Sequence, residues 1–405
     1  MRLVRRIFNK VLLFATVIMA VSSLAGCSEY SNNVLPEADD EDVDVPCVRA
    51  VLIYMLADNS LGSSGYDRDN IDGMITACQN GAFGWNRLII YHDDYKADSP
   101  MLKEVTSSGL KILKTYDNSE KSVSAHRMEQ VIADFKEVAP AEKYGLIIWS
   151  HATGWLQTGM QESTDITTQW VGEDRSNYMN VTTLASVLNG KQFDYIYFDC
   201  CFMASVESLY ELRNVTDTFV GSCTELPAEG MPYEQTLPYL MADTPDLEKA
   251  AQTTFNYFDL KSGASRTCTM SVVKASALDK LAEATRRIYE LHPELPADYS
   301  GQSFERKKTE EPSYLFDFED YVNELYSANT SLSGMRAAYA DWLTALDNCV
   351  TYEAHTPYIF NSLKINSHCG LSTYIIRSAT DVTTKNYSQL SWYRDVASSL
   401  FADEE

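Results

Sequence analysis

Residues 193–209, FDYIYFDCCFMASVESL, decide how the chain is built. The first part, FDYIYFDCC, has the apolar and aromatic run of a buried strand, and after it Met203, Val206, Leu209 and Tyr210 recur at helical spacing. Asp199, Cys200 and Cys201 stand at the junction. Side chains at i and i+2 of a strand share a face, so Asp199 and Cys201 are expected to point one way and Cys200 the other. A helix N-terminus next to Cys201 would lower its thiol pKa and favour the thiolate. Cys200 then reads as a small buried hydrophobe, and Asp199 has a second reading as the cap of that helix.

Working outward, the same alternation repeats. VRAVLIYMLA (48–57) and NRLIIYHDD (86–94) read as strands. SAHRMEQVIADFKEVAP (124–140) reads as a helix through Met128, Val131, Ile132 and Phe135. YGLIIWSH (144–151) reads as a strand, and VTTLASVLNG (181–190) as a helix stopped by its glycine. This is the βαβ rhythm of an α/β fold, a largely parallel sheet covered on both faces. After about residue 240 longer helical segments take over, DLEKAAQTTFNYFDL (246–260) and LDKLAEATRRIYELH (278–292), with strands at TCTMSVVK (267–274) and CGLSTYII (369–376). SGQSFERKKTEEPSY (300–314) reads as a polar surface loop. The expected division is a main domain over 47–241 and a C-terminal α+β region over 242–405 that packs on the sheet or extends it.

In an open parallel sheet, ligands sit outside the carboxyl ends of the strands. LIIWSH ends at His151 and YIYFDCC ends at Cys201. A cysteine and a histidine on neighbouring strand ends form an arrangement in which the imidazole takes or steers the thiol proton. Taken singly, such a histidine is more often a satisfied core residue and such a cysteine a buried free thiol. Their joint occurrence is what points to chemistry.

These blocks resemble the clostripain family of cysteine peptidases, which shares the caspase-like α/β/α fold. The resemblance lies in YMLADNSL (54–61), YGLIIWSHATGW (144–155), FDYIYFDCCFMASVESL, ELPAEGMPY (225–233) and GLSTYI (370–375), in the family's order. It implies a cysteine endopeptidase with His151 and Cys201 as catalytic residues and a covalent acyl-enzyme. The backbone N–H groups of Ala152 and Cys201 would form the oxyanion hole, although the family commonly has glycine where Ala152 stands. Asp199 would bind a basic side chain before the scissile bond, so the implied substrate is a peptide or protein cut after Arg or Lys. Met231 stands where an aromatic residue is expected, while Gly154 and Trp155 fit the pattern. Members are often cut between the two catalytic strands, where Arg175 is the one basic residue between His151 and Lys191. Self-cleavage after Arg175 is one expectation, and a solvated loop charge in an enzyme that works as one chain is the other. Other readings are a degenerate peptide-binding lipoprotein of the same fold and a carbohydrate-binding surface lipoprotein.

The ends of the chain address location. Arg2, Arg5, Arg6 and Lys10 precede the apolar run VLLFATVIMAV, and LAGC follows, ending in Cys27. This is a signal peptide over 1–26, and its LAGC box resembles the bacterial lipoprotein signal. Cys27 is expected to be lipidated, anchoring the protein at the bacterial cell envelope on the periplasmic face or the cell surface. The acidic stretch 27–46 reads as a solvated tether. The chain carries a net charge of −24, which argues against nucleic acid and leaves the lipid anchor as the membrane contact. The cysteines show no CxxC pair and no zinc pattern. The resemblance implies no required cofactor. Some family members depend on calcium, but DRDNIDG (67–73) has Ile71 where an EF-hand needs an oxygen, so no metal residue is assigned.

Overall fold

The computed structural model describes residues 47–157, 169–294, 299–306, 313–376 and 386–401, and Val45–Glu405 form one compact unit. In chain order the strands are β1 (Arg49–Ala57), β2 (Arg87–Asp94), β3 (Met101–Thr106), β4 (Gly109–Thr115), β5 (Lys143–Trp149), β6 (Ala152–Gln157), β7 (Gln169–Val171), β8 (Glu173–Asp174) and β9 (Asn177–Tyr178). They continue with β10 (Phe193–Asp199), β11 (Thr216–Gly221), β12 (Thr269–Lys274), β13 (Leu315–Asp317) and β14 (Val350–His355). Nine of them form one sheet in the order β14-β12-β11-β10-β5-β1-β2-β3-β4. The five central strands run parallel, from β11 through β10, β5 and β1 to β2. Antiparallel pairs close both edges: β3 and β4 on one side, β12 and β14 on the other. The α/β expectation therefore holds, and the strand at TCTMSVVK joins the main sheet. CGLSTYII does not, because Ser372–Tyr374 pairs with β13 in a separate two-stranded sheet.

Alternation along the central strands splits the core into two layers. Leu146, Ile148, Ile196, Phe198 and Cys200 pack on one face of the sheet, and Ile147, Trp149, Tyr195 and Tyr197 on the other, all buried. Burying both faces explains why these strands read as unbroken apolar runs. The covering helices are the amphipathic ones. Helix Ala125–Val138 starts at Ser124, whose hydroxyl accepts from the Arg127 N–H, and it buries Met128, Val131, Ile132 and Phe135. Helix Val181–Leu188 starts at Asn180, whose side chain accepts from the Thr183 N–H.

The junction after β10 differs from its sequence reading. The helix there begins at Val206, with Ser205 as its cap, and runs only to Glu211. Cys201 lies in a turn ahead of it and gains no dipole from it, since the effect falls off within the first turn. Asp199 is not the cap. The segment SGQSFERKKTEEPSY also differs: Phe304 is fully buried, its N–H donates to the Leu315 carbonyl, and Ser303 bridges to Phe316. Polar composition hid a buried anchor. The hairpin β3–β4 and the helices Phe318–Ala328 and Met335–Cys349 were not read from the sequence.

Candidate active site

The register of the sheet places the two reactive side chains. Trp149 of β5 pairs with Asp199 of β10, and His151 and Cys201 each follow two residues later on adjacent parallel strands. Both therefore follow the carboxyl ends of neighbouring strands. Cys200 is 3% exposed, inside the layer with Phe198, whereas Cys201 is partly exposed. The strand alternation thus separates the two thiols as expected. All eight cysteines among the described residues are free.

The turn that carries Cys201 is tightly held. Phe202 adopts φ 60°, an uncommon value for a residue with a side chain, while its N–H donates to the Thr224 carbonyl at 3.1 Å. Gly154, at φ 66°, lets the histidine segment approach: a Cβ there would lie 2.7 Å from the Phe202 carbonyl oxygen. Ala152 has no positive φ, so this position does not need the glycine common in the family. The Leu226 N–H donates to the Cys201 Sγ at 3.3 Å.

Burial pushes the Cys201 thiol up to about 12, with the Leu226 N–H opposing it. The expected thiolate-favouring position is therefore corrected: no helix begins beside Cys201, and desolvation opposes its ionisation. Burial also lowers the pKa of His151, with Glu173 opposing, so the imidazole is held toward its neutral form. Its Nε2 lies 2.7 Å from the Ser60 Oγ. Ser60 opens a short helix, Ser60–Ser64, just beyond β1, capped by Asn59. A serine in a strand-to-helix turn carries no sequence signal for this role; only the packing reveals it.

Asp199 is 6% exposed. Its carboxylate accepts the Met231 N–H at 3.0 and 3.1 Å and the Tyr233 hydroxyl at 2.9 Å. Burial still raises its pKa to about 6 against these donors. Gly230, at φ 70°, has to be glycine, because a Cβ would lie 2.9 Å from both the Asp199 Oδ2 and the Asn70 Oδ1. The same Asn70 oxygen accepts the Trp149 indole N–H at 2.7 Å. Met231 is buried and acts through its backbone, which is why the aromatic expected there is dispensable.

A second charged pair borders the thiol. Arg306 forms a two-pronged ion pair with Glu225, Nη2 to Oε1 at 2.7 Å, and its guanidinium lies 4.4 Å from the centre of the Phe360 ring. Both charges act on Cys201: Glu225 raises its pKa and Arg306 lowers it. Sequence reasoning missed both. Arg175 occupies the tip of the β8–β9 hairpin at φ 45°, followed by Ser176 at φ 64°. It is ion-paired with Asp58. Cys27 and residues 158–168 of the segment between the catalytic strands lie outside the described residues.

With this geometry the comparisons are specific. The clostripain family model matches residues 53–404. The chain belongs to the clostripain family. It is a cysteine-type peptidase with the caspase-like fold. An inactive zymogen C11 protease from Parabacteroides distasonis is 29% identical, with a TM-score of 0.73 over 87% of this chain and 99% of that one. A secreted C11 cysteine protease from Bacteroides thetaiotaomicron, solved with an irreversible peptide inhibitor, is 27% identical, with a TM-score of 0.72 over 86% of this chain and 99% of that one. No protein with a curated description matches.

Proposed function

We propose that this clostripain-family peptidase cleaves peptide bonds after Lys or Arg, with Cys201 as nucleophile and His151 as its base. The observation that supports the reading is the strand register, which pairs Trp149 with Asp199, two residues ahead of His151 and Cys201. When the His151 Nε2 carries its proton and donates to Ser60, Nδ1 presents the lone pair that removes the thiol proton as Sγ attacks the carbonyl carbon. The thiol starts protonated at about 12 and the imidazole starts neutral, so proton transfer accompanies attack. The N–H groups of Ala152 and Cys201 stabilise the oxyanion. The imidazolium then protonates the departing amine, leaving an acyl-thioester. Water, deprotonated by the same imidazole, releases the acid and restores the thiol.

Asp199 supplies the basic preference. Three of roughly four acceptor positions on its carboxylate are filled by Met231 and Tyr233, and the remaining lone pair is available to an incoming guanidinium or ammonium. Self-cleavage after Arg175 belongs to the same reading, with the hairpin opening first, since a peptidase takes its substrate extended. The leader sequence supports export and lipid anchoring through Cys27, which radiolabelled palmitate incorporation into wild type but not Cys27→Ala would verify. Turnover of fluorogenic peptides ending in Arg, Lys, Asn, Asp or Leu tests the specificity. Activity confined to Arg and Lys is expected; preference for Asn or Asp, or inertness with Cys201 unmodified by iodoacetamide, would overturn it.

A further inference from the structure

Two charged features border the nucleophile, and the reaction above gives a role only to Asp199. The second is the Glu225–Arg306 pair. Its place beside the thiol is fixed through the backbone, because Glu225 directly precedes Leu226, whose N–H donates to the Cys201 Sγ at 3.3 Å. Arg306 and Cys201 also act on each other's ionisation, as charges at short range do. A bound peptide in extended form advances about 3.3 Å per residue. A group this near the sulfur therefore faces a side chain or chain end one or two residues from the scissile bond.

The valence of the pair says what it can still bind. Arg306 turns its Nε and Nη2 to the two Glu225 oxygens, and its guanidinium lies on the Phe360 ring, 4.4 Å from the centre. A guanidinium has five N–H donors, so two spent on Glu225 leave both hydrogens of Nη1 and the outer one of Nη2. Both Glu225 oxygens are engaged. The pair is neutral as a whole, yet the edge it still offers consists of donors. The Arg306 side chain is 40% exposed, within reach of a peptide arriving from solvent. Stability does not account for the pair, since an ion pair this exposed adds little. The segment that carries Arg306 is held by other means: Phe304 is fully buried, its N–H donates to the Leu315 carbonyl at 2.9 Å, and the Leu315 N–H donates to the Glu305 Oε2 at 2.8 Å.

We propose that Arg306, held in place by Glu225 and Phe360, is a substrate-binding residue that takes a carboxylate of the peptide one or two residues from the scissile bond. The substrate class is then a peptide of mixed charge, with a basic side chain for Asp199 and an acidic group close to it for Arg306. This rests on the reading of Cys201 and Asp199 given above. The planar fork of an arginine meets a carboxylate through two parallel N–H···O bonds, and a guanidinium already fixed loses little freedom on binding. Glu225 is the positioning residue that aims the fork. A peptide has two sources of such a carboxylate, an Asp or Glu side chain and the free C-terminus. The net charge of −24 repels acidic peptides at long range, so the preference arises from contact and not from steering.

The test uses internally quenched peptides with Lys before the scissile bond. One set carries Glu or Gln at each of the two positions before the Lys and the two after the bond. A second set ends one or two residues after the bond in a free acid or an amide. At one of these positions wild type should favour the acid by about fivefold or more in kcat/KM, and the responding position identifies the source of the carboxylate. Arg306→Gln should remove that preference. Arg306→Glu should invert it, favouring Lys over Glu there, which a merely detached segment would not do. The same ratios are read as Kd by fluorescence anisotropy in the full-length Cys201→Ala protein. Peptides bound with the acid preference but not cut by wild type would count against the Cys201 reading and leave this one standing. Turnover or binding with no acid preference at any position, or a preference kept in Arg306→Gln, would overturn the role of Arg306. Peptides neither cut nor bound would overturn both.

Discussion

The carboxyl rim of the sheet has two acidic halves that share a depth but not a state. At β5 and β10, Asp199 is buried and its oxygens are met by the Met231 N–H and the Tyr233 hydroxyl. At β1 and β2, Asp58 and Asp93 are as deeply buried, yet each keeps an oxygen with no partner. The difference teaches that burial alone does not define a carboxylate's job. A satisfied acid with one lone pair left suits a transient guest, whereas in the unsatisfied cluster burial favours the protonated form, raising Asp93 to about 7. Ser60 and Asn59 join the halves.

The largest expected effect lies in the first half. Cys201→Ala should lower turnover by about 10⁴-fold or more and leave Tm unchanged, while Cys200→Ala should keep most activity. Equal losses in two folded variants would erase the distinction between the thiols. Next, Asp199→Asn should reduce kcat/KM on Arg and Lys peptides about a hundredfold, the scale of a buried charge pair losing one partner. Alkylation of Cys201 by iodoacetamide should change by less than about twofold; parallel losses in both assays would mean that Asp199 supports the fold of the turn rather than recognition.

Between the halves, Ser60→Ala removes the partner of the His151 Nε2 and should lower kcat about tenfold, the net worth of one oriented hydrogen bond, with KM held. A KM effect alone would move Ser60 out of the positioning role. The smallest effect is on stability against pH. Burial raises Asp93 to about 7 and Asp199 to about 6, and Glu207 and Asp317 each to about 7, so the folded state binds protons more tightly than the unfolded chain. Their contribution is fully present below about pH 4 and is lost as pH rises through 6 to 7. Asp93→Asn should flatten part of that loss, by about 2–4 °C in Tm. An unchanged slope in Asp93→Asn would remove that residue from the titration.

The sequence by itself determined the parallel sheet, because strands buried on both faces must be apolar throughout and amphipathic helices must cover them. It also singled out His151, Cys201 and Asp199 as candidates, and separated Cys201 from Cys200, because strand alternation has a fixed period of two. The state of those groups was decided by tertiary structure. A thiol raised to about 12 in place of a dipole-stabilised thiolate follows from how many neighbours exclude water, and from a helix that starts at Val206 rather than beside Cys201. Ser60 and the Glu225–Arg306 pair were likewise beyond reach. Their partners lie 81 to 91 residues away, so only the folded chain brings them within bonding distance.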